Sequence, residues 1–297
     1  QGATLLSGKN LRIVFKNDSV NMDKDIVLTR GKIMLMTQAV HGSIKDKRYR
    51  ADSAVKFFLN GTKPVAGEAP VMDMYPSEGI WEMPNGIRFT RGGNPTSADT
   101  ASYYEAENVL TLSGNARTED DGSSIRADQI SFFDHPDRLI ADRNIELSRR
   151  GKTAICNSLS VTPAKKGRKL LLSGNVNATL EKGSDLLKKP TAKKIRNLEA
   201  QKTLAGKVHI KADQLTLSSA NDNAYASGNV EVTQRNKLAK ADTAFYDDAK
   251  EKIFLKKNVY LRKENGDFMH TESVVVDINK ESFEAEKVRE SRFKIKK

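Results

Sequence analysis

The sequence predicts an all-β chain, and three observations carry that prediction. Apolar residues alternate with polar ones through most of the length, two short phrases recur about every 29 residues, and polar turn sequences fall between them. Alternation puts successive side chains on opposite faces of a strand, and no 3.6-residue period competes with it.

The first phrase is Ala-Asp, one residue, then two apolar residues separated by one. It stands at Ala98-Asp99, Ala127-Asp128, Ala212-Asp213 and Ala241-Asp242, with degenerate copies at Cys156-Asn157 and Thr271-Glu272. Successive copies start 29, 29, 56, 29 and 30 residues apart, so one interval is double. The second phrase lies between copies of the first: Leu112-Ser113-Gly114-Asn115-Ala116, Leu172-Ser173-Gly174-Asn175-Val176 and Ala226-Ser227-Gly228-Asn229-Val230. Weaker versions are Asp142-Arg143-Asn144-Ile145 and Lys256-Lys257-Asn258-Val259. Around each Asn, positions −5, −3, +1 and +3 are mostly apolar, which predicts a strand with one buried face. The Gly-Asn step marks a bulge or bend. Asp134-His135-Pro136-Asp137, Ser219 to Asn223, Asp247 to Lys250 and Glu264 to Asp267 have the composition of turns.

Two stretches break the pattern. Gly183 to Gly206 is Lys-rich, carries Pro190, and contains a candidate short helix over 192–204; it accounts for the double interval as an insertion or a linker. The first ninety residues are less regular. Arg50-Ala51-Asp52 echoes the first phrase and Thr29-Arg30-Gly31-Lys32-Ile33 faintly echoes the second. Four prolines, Pro70, Pro76, Pro84 and Pro95, make the segment from Gly67 read as a long connection or lid. The expected organisation is a less regular β region over 1–95 with a Pro-rich connection, repeats over 96–182, a basic insertion or linker over 183–206, and repeats over 207–297.

Composition narrows the partners. The chain is 38% apolar and 30% charged, polar for a thick globule but suited to a thin structure with much surface. A net charge of +12 favours an anionic partner: nucleic acid, a membrane surface or a phosphorylated lipid. The basic clusters at Lys165 to Lys169, Lys188 to Arg196 and the last five residues also fit ordinary solvated loops. Cys156 is the only cysteine, which excludes an intrachain disulfide and a thiolate metal cage. No run of eighteen apolar residues is present, and a start at Gln1 suggests a mature or trimmed product.

Taken together, the alternating Ala-Asp-x-apolar-x-Tyr/Phe and Leu-x-Gly-Asn-Val-x-Val phrases resemble the OstA-like proteins of lipopolysaccharide transport, the family of LptA, LptC and the periplasmic part of LptD. The resemblance runs from Ala98 to Val276, apart from the insertion. It implies an elongated open β-jellyroll of two antiparallel sheets, here long enough for two stacked segments, with acyl chains held between the sheets. It further implies a non-enzymatic periplasmic carrier or bridge that binds lipopolysaccharide or a related glycolipid and passes it toward the outer membrane. Neighbouring jellyroll proteins would join through edge strands, with head-to-tail self-association and membrane association through partners. An LptC-like adaptor whose inner-membrane anchor has been removed is the alternative within the family.

The register places Tyr103, Leu110, Leu112, Ile130, Phe132, Leu139, Ile145, Leu159, Val161, Leu170, Leu172 and Val176 inside. Further along it places Leu215, Leu217, Val230, Val232, Tyr246, Val259, Leu261, Val274 and Val276 there too. Apart from Ile145 and Val176, these are the candidate lipid contacts; singly, each reads first as ordinary core packing, and only the set as a whole makes a lipid site. Ile140, Leu171, Tyr225 and Phe254 are apolar on the opposite face. Catalytic signatures are missing: His41, His135, His209 and His270 have no metal-ligand spacing, and no nucleophile elbow or P-loop occurs. Asp120-Asp121-Gly122 reads as a turn rather than a calcium loop, and the recurrence of the Ala-Asp aspartates suits a structural role. No cofactor, metal or nucleic acid is expected. A repeat-built glycosidase, a nucleic-acid binder and a basic β-solenoid scaffold for another anionic partner are the competing readings.

Overall fold

A computed structural model describes residues 4–180, 207–234, 236–277 and 282–292, nearly all in antiparallel strands. The short N-terminal strands are β1 (Thr4–Ser7) and β2 (Asn10–Val14), followed by the long β3 (Ser19–Arg30) and β4 (Ile33–Ser43). A run of short strands comes next: β5 (Arg48–Ala51), β6 (Val55–Leu59), β7 (Val65–Ala69), β8 (Met72–Tyr75), β9 (Ile80–Met83), β10 (Ile87–Arg91), β11 (Asn94–Ala98) and β12 (Thr100–Tyr104). Long strands resume with β13 (Val109–Asp120), β14 (Ser123–Phe133), β15 (Arg138–Arg149), β16 (Lys152–Pro163), β17 (Arg168–Leu180), β18 (Val208–Ser218) and β19 (Ala224–Gln234). The chain closes with β20 (Lys237–Asp247), β21 (Lys252–Lys263), β22 (Phe268–Asp277), β23 (Ser282–Glu286) and β24 (Glu290–Arg292). Two compact units result. Unit 1 comprises residues 1–120 and 124–143, unit 2 residues 121–123 and 144–297, so the expected border at 95/96 falls inside unit 1.

In unit 1, β3 carries β1 and β2 on one side and β4 on the other. From β4 the ladder divides. Ile33–Met36 pairs with β6, and β6, β7, β10 and β11 follow as neighbours until β11 reaches β13. Val40–Ser43 pairs with β5, and β5, β8, β9 and β12 follow until β12 reaches the first half of β13. Each pair of short strands is thus one strand broken in the middle, and the halves belong to two half-sheets.

The stretch from Gly67 to Pro95 is therefore not a connection or lid; it supplies β7 to β10 and enters β11. Pro70 and Pro84 sit in strand breaks and Pro76 in a turn, where no ladder amide is needed. Only Pro95 stands inside a strand, opposite Thr90. Strands of four or five residues are too short for alternation to announce them. At Gly67 the backbone is flanked by Phe57 and Phe89 on the neighbouring strands, whose rings meet edge to face at 6.2 Å, and an added Cβ would collide with Phe89.

Unit 2 runs as a meander in which β16 to β22 each pair with the next strand. β17 and β18 stay paired out to Leu180↔Val208, so the double-length interval leaves and re-enters at one hairpin end. The helix expected over 192–204 lies outside the described residues, as do the basic clusters at 188–196 and 293–297.

Both recurring phrases mark the bend. Between Ser173↔Gln214 and Val176↔Ala212, Gly174 and Asn175 oppose the single residue Asp213. Two residues against one is a bulge, and it bends each long strand into two halves. The bulged pair takes positive φ in each copy: 74° and 44° at Gly114-Asn115, 64° and 50° at Arg143-Asn144, 63° and 51° at Lys257-Asn258. Asn115 Nδ2 donates to Asp99 at 2.8 Å, and Asn258 Nδ2 to Asp242 at 3.1 Å, tying the second phrase to the first. In β3 the same geometry falls at Lys24-Asp25, with φ 68° and 51°. The fainter echo at Thr29 to Ile33 is instead the β3–β4 turn. Asp121-Gly122, at φ 48° and 70°, is the two-residue turn between β13 and β14, as a type I′ hairpin needs.

Candidate functional site

The inward faces of unit 2 form continuous apolar rows. One half-sheet carries Ala178, Ile210, Val232, Ala239, Leu261 and Met269 as cross-strand partners. The other carries Leu172, Leu215, Ala226, Ala244, Leu255 and Val274, and beside them Val161, Leu170, Leu217, Ala224, Tyr246, Ile253 and Val276. Residues of both halves meet in one cluster: Ala241, Val259 and Met269 with Leu255 and Val274.

Burial along these rows is graded. Next to the bend most side chains are buried, among them Leu172, Val176, Leu215, Val230, Leu255, Val259 and Val274, with Ala244 half-buried. Toward the lip they are buried on β16 and β17, at Val161, Leu170 and Ala178, but half-buried on β18 to β21, while on β22 Val276 is half-buried and Met269 buried. The half-buried set is Ile210, Leu217, Val232, Ala239, Tyr246, Ile253, Leu261 and Val276. This apolar trough is closed at β16–β17 and open along β18–β21, with Val276 of β22 at its far margin.

Polar groups close the first end by reaching from lip to lip. Arg149 donates to the backbone oxygens of Asp121 and Ser219, and Lys152 Nζ lies 3.6 Å from Asp222. The β18–β19 turn is held there by Ser219 Oγ, which accepts from the Arg168 amide at 2.7 Å. Under these groups a cavity of about 40 Å³ remains, lined by Leu170, Ala178, Leu215 and Leu217 among others. On the open stretch the Tyr246 hydroxyl donates to Asp248 at 2.9 Å, and its pKa is raised, first by burial and then by that carboxylate.

In unit 1 the corresponding interior is closed. Tyr103, Leu110, Leu112, Ile130, Phe132 and Leu139 are all buried. Arg30 meets Glu105 at 2.9 Å, Lys32 meets Asp134 at 2.8 Å, and Arg91 meets Asp137 at 3.2 Å. Lys63 reaches both Asp120 and Asp137. The Arg91 guanidinium also stands 4.5 Å from the Phe132 ring centre, a cation–π cap over that side chain. Burial pushes the Tyr103 hydroxyl up to about 12.

The sequence-predicted contacts therefore divide. Leu159, Val161, Leu170, Leu172, Leu215, Val230, Val259 and Val274 are buried walls of unit 2, whereas Leu217, Val232, Tyr246, Leu261 and Val276 present half-exposed surface to the trough. Ile210 and Ala239 belong to the same rows and were not singled out. Each precedes an Ala-Asp phrase, where the bulge shifts the inward parity by one, and pairing with Val232 reveals them. Ile140, Leu171 and Phe254 are only half-buried and Tyr225 is 44% exposed, so the opposite face is an outer surface. The histidines stay apart: His41 lies near Asp52, His135 near Asp134, His209 near Thr179 and His270 against Tyr260. Among the described residues no group of three or more His, Cys, Asp or Glu is placed to hold a metal ion.

Residues 157–282 match the family described as LptA/(LptD N-terminal domain) LPS transport protein. That segment is similar to the OstA-like proteins. The match covers less than half of the chain, and within it lies the open stretch of the trough. No curated protein matches the chain. Among solved structures, the chain is similar to LptH, the LptA homologous periplasmic component of the lipopolysaccharide transport device from Pseudomonas aeruginosa. The identity is 8% and the TM-score 0.34, over 38% of this chain and 82% of that one. Among the described residues no helix is long and apolar enough to cross a membrane. The matched segment thus holds the half-buried rows together with the closed end at β17.

Proposed function

We propose that the chain carries lipopolysaccharide in the periplasm, with acyl chains lying in the trough of the OstA-like segment, and passes it toward the outer membrane. One observation carries this reading: the inward rows stay apolar from strand to strand, while their lip positions change from buried on β17 to half-buried on β18 to β21, with Met269 on β22 covered again. A continuous apolar surface left half open is costly in water and marks a binding surface. Each Å² of acyl chain removed from water there contributes about 25 cal/mol. A phosphorylated head would remain at the lip, near Lys237 and Lys263, which are cross-strand partners at the outer end of the rows.

Neighbouring jellyroll proteins would add at the strand edges. Leu5, Leu11 and Phe15, at or next to β1 and β2, are 69%, 57% and 81% exposed, which suits an edge that acquires a partner. The trough serves a soluble bridge and an anchored adaptor equally. No nucleotide-binding motif is present in the sequence, so the reading places the energy source in a partner.

The reading is tested by putting a carboxylate into the lip. Val232→Asp and Leu261→Asp, each checked for native circular dichroism, are expected to lose most lipopolysaccharide binding relative to wild type. Retained binding by both folded variants contradicts the proposal.

A further inference from the structure

A cavity of about 680 Å³ lies away from the trough, in unit 1. It exists because the strands break there. Pro70 separates β7 from β8, Asn85 and Gly86 separate β9 from β10, Asp99 separates β11 from β12, and β13 bulges at Asn115. All five residues line the cavity. The segment whose prolines suggested a loose connection is thus what opens a cleft in the outer surface.

One wall is a cross-strand row: Glu68, Arg88, Ser97 and Arg117 are successive partners on β7, β10, β11 and β13. Arg88 and Arg117 flank Ser97, so their backbones are about 10 Å apart at two strand spacings. Two long guanidinium side chains can converge on one anion above the hydroxyl between them. Both arginines are exposed, and among the described residues neither makes an ion pair or side-chain hydrogen bond. Glu68, the one carboxylate on this row, lies 3.9 Å from Lys56 instead.

The rest of the cleft is mixed. Ala54 and Pro70 give exposed apolar surface and Asn85 brings a free-standing side-chain amide, while the Asp99 carboxylate at the strand break is taken up by Asn115 Nδ2 at 2.8 Å. A volume of this size exceeds a lone phosphate and falls in the usual range for small-molecule sites, roughly 300 to 1,000 Å³. Apolar patches suit the ring face of a sugar, an amide suits its hydroxyls, and paired guanidinium groups suit a phosphate.

We infer that this cleft binds a phosphorylated saccharide, with Arg88, Ser97 and Arg117 holding the phosphate. The saccharide is either free or the head of an amphiphile. Only the second source rests on the proposed transport role, because the cleft is outside the trough.

Isothermal titration of the full chain with glucose 6-phosphate, inorganic phosphate and glucose tests the inference. Glucose 6-phosphate is expected to bind more tightly than either of the others. Arg88→Ala and Arg117→Ala are each expected to weaken it roughly tenfold, the usual loss for one charged hydrogen bond. The double variant should show no binding at an unchanged unfolding midpoint. Absence of binding to wild type, equal affinity for inorganic phosphate, or binding that survives in the double variant would overturn the inference. A competition arm separates the sources while keeping the site: intact lipopolysaccharide displaces the probe if the head group occupies the cleft, and leaves it bound if a free sugar phosphate is the ligand.

Discussion

Asn229 Nδ2 donates to Asp213 Oδ2 at 3.0 Å, joining the bulge of one strand to the bend of the strand before it. Gly228, at φ 74°, brings its backbone against the same carboxylate, and an added Cβ would collide with Asp213 Oδ2. Glycine, asparagine and aspartate recur together because they form one joint. Gly228→Ala is expected to destabilise the chain by about 1–3 kcal/mol, through positive φ and overpacking. Asn229→Ala, at an exposed hydrogen bond, should cost about 0.5–1.5 kcal/mol. Urea titrations check both, and a cycle with Asp213→Ala should show that Asn229→Ala costs less once the acceptor is gone, leaving the cost of alanine at φ 48°.

Gly67 is a second tight point. Gly67→Ala is expected to separate Phe57 from Phe89 and lower stability by about 1–3 kcal/mol. The same substitution at Gly122, where an added Cβ meets nothing within 4 Å, should owe its cost to φ alone and be smaller. Thermal unfolding of the two variants makes the comparison.

The closure of unit 1 predicts an acid dependence. Burial by itself would raise the Asp134 carboxyl, but hydrogen bonds from Lys32 Nζ and the Thr62 amide outweigh it and hold the pKa below its ordinary value. A carboxyl depressed in the folded state contributes stability above its unfolded pKa of about 3.9, and that contribution is lost as pH falls through the folded value. Wild type should therefore lose part of its stability below about pH 4. Lys32→Met should reduce that loss, as read from unfolding midpoints against pH.

Cys156 fills an alanine position of the repeat and is buried, with its thiol pushed up to about 11 by burial. The native protein should resist iodoacetamide at pH 8 and react fully in denaturant. A thiol raised in the folded state adds stability below its unfolded pKa of about 8.5 and loses it as pH rises through the folded value, so Cys156→Ala should flatten the alkaline limb of the stability curve.

Much of this was legible in the sequence because the repeat is local. Leu170, Leu172, Val176 and Ala178 stand at fixed offsets from Asn175, and all four are buried. What the sequence hid is what distant residues decide. Phe132 and Leu261 look alike in the pattern, yet one lies beneath Arg91 and the other at an open lip. Arg91 at the end of β10, Lys63 before β7 and Asp137 before β15 come together, and no spacing announces that meeting. Breaks as short as Asp99 alone divided β11 from β12, leaving strands too brief for their periodicity to register.

The central claim is that acyl chains lie along the open half of unit 2. Photo-crosslinking residues placed singly at Leu217 and Leu261, with outer-face Tyr225 as control, test it when the purified protein meets lipopolysaccharide. The account predicts lipid adducts at Leu217 and Leu261 and none at Tyr225. Adducts at Tyr225 alone, or at no position of a folded protein, would contradict it.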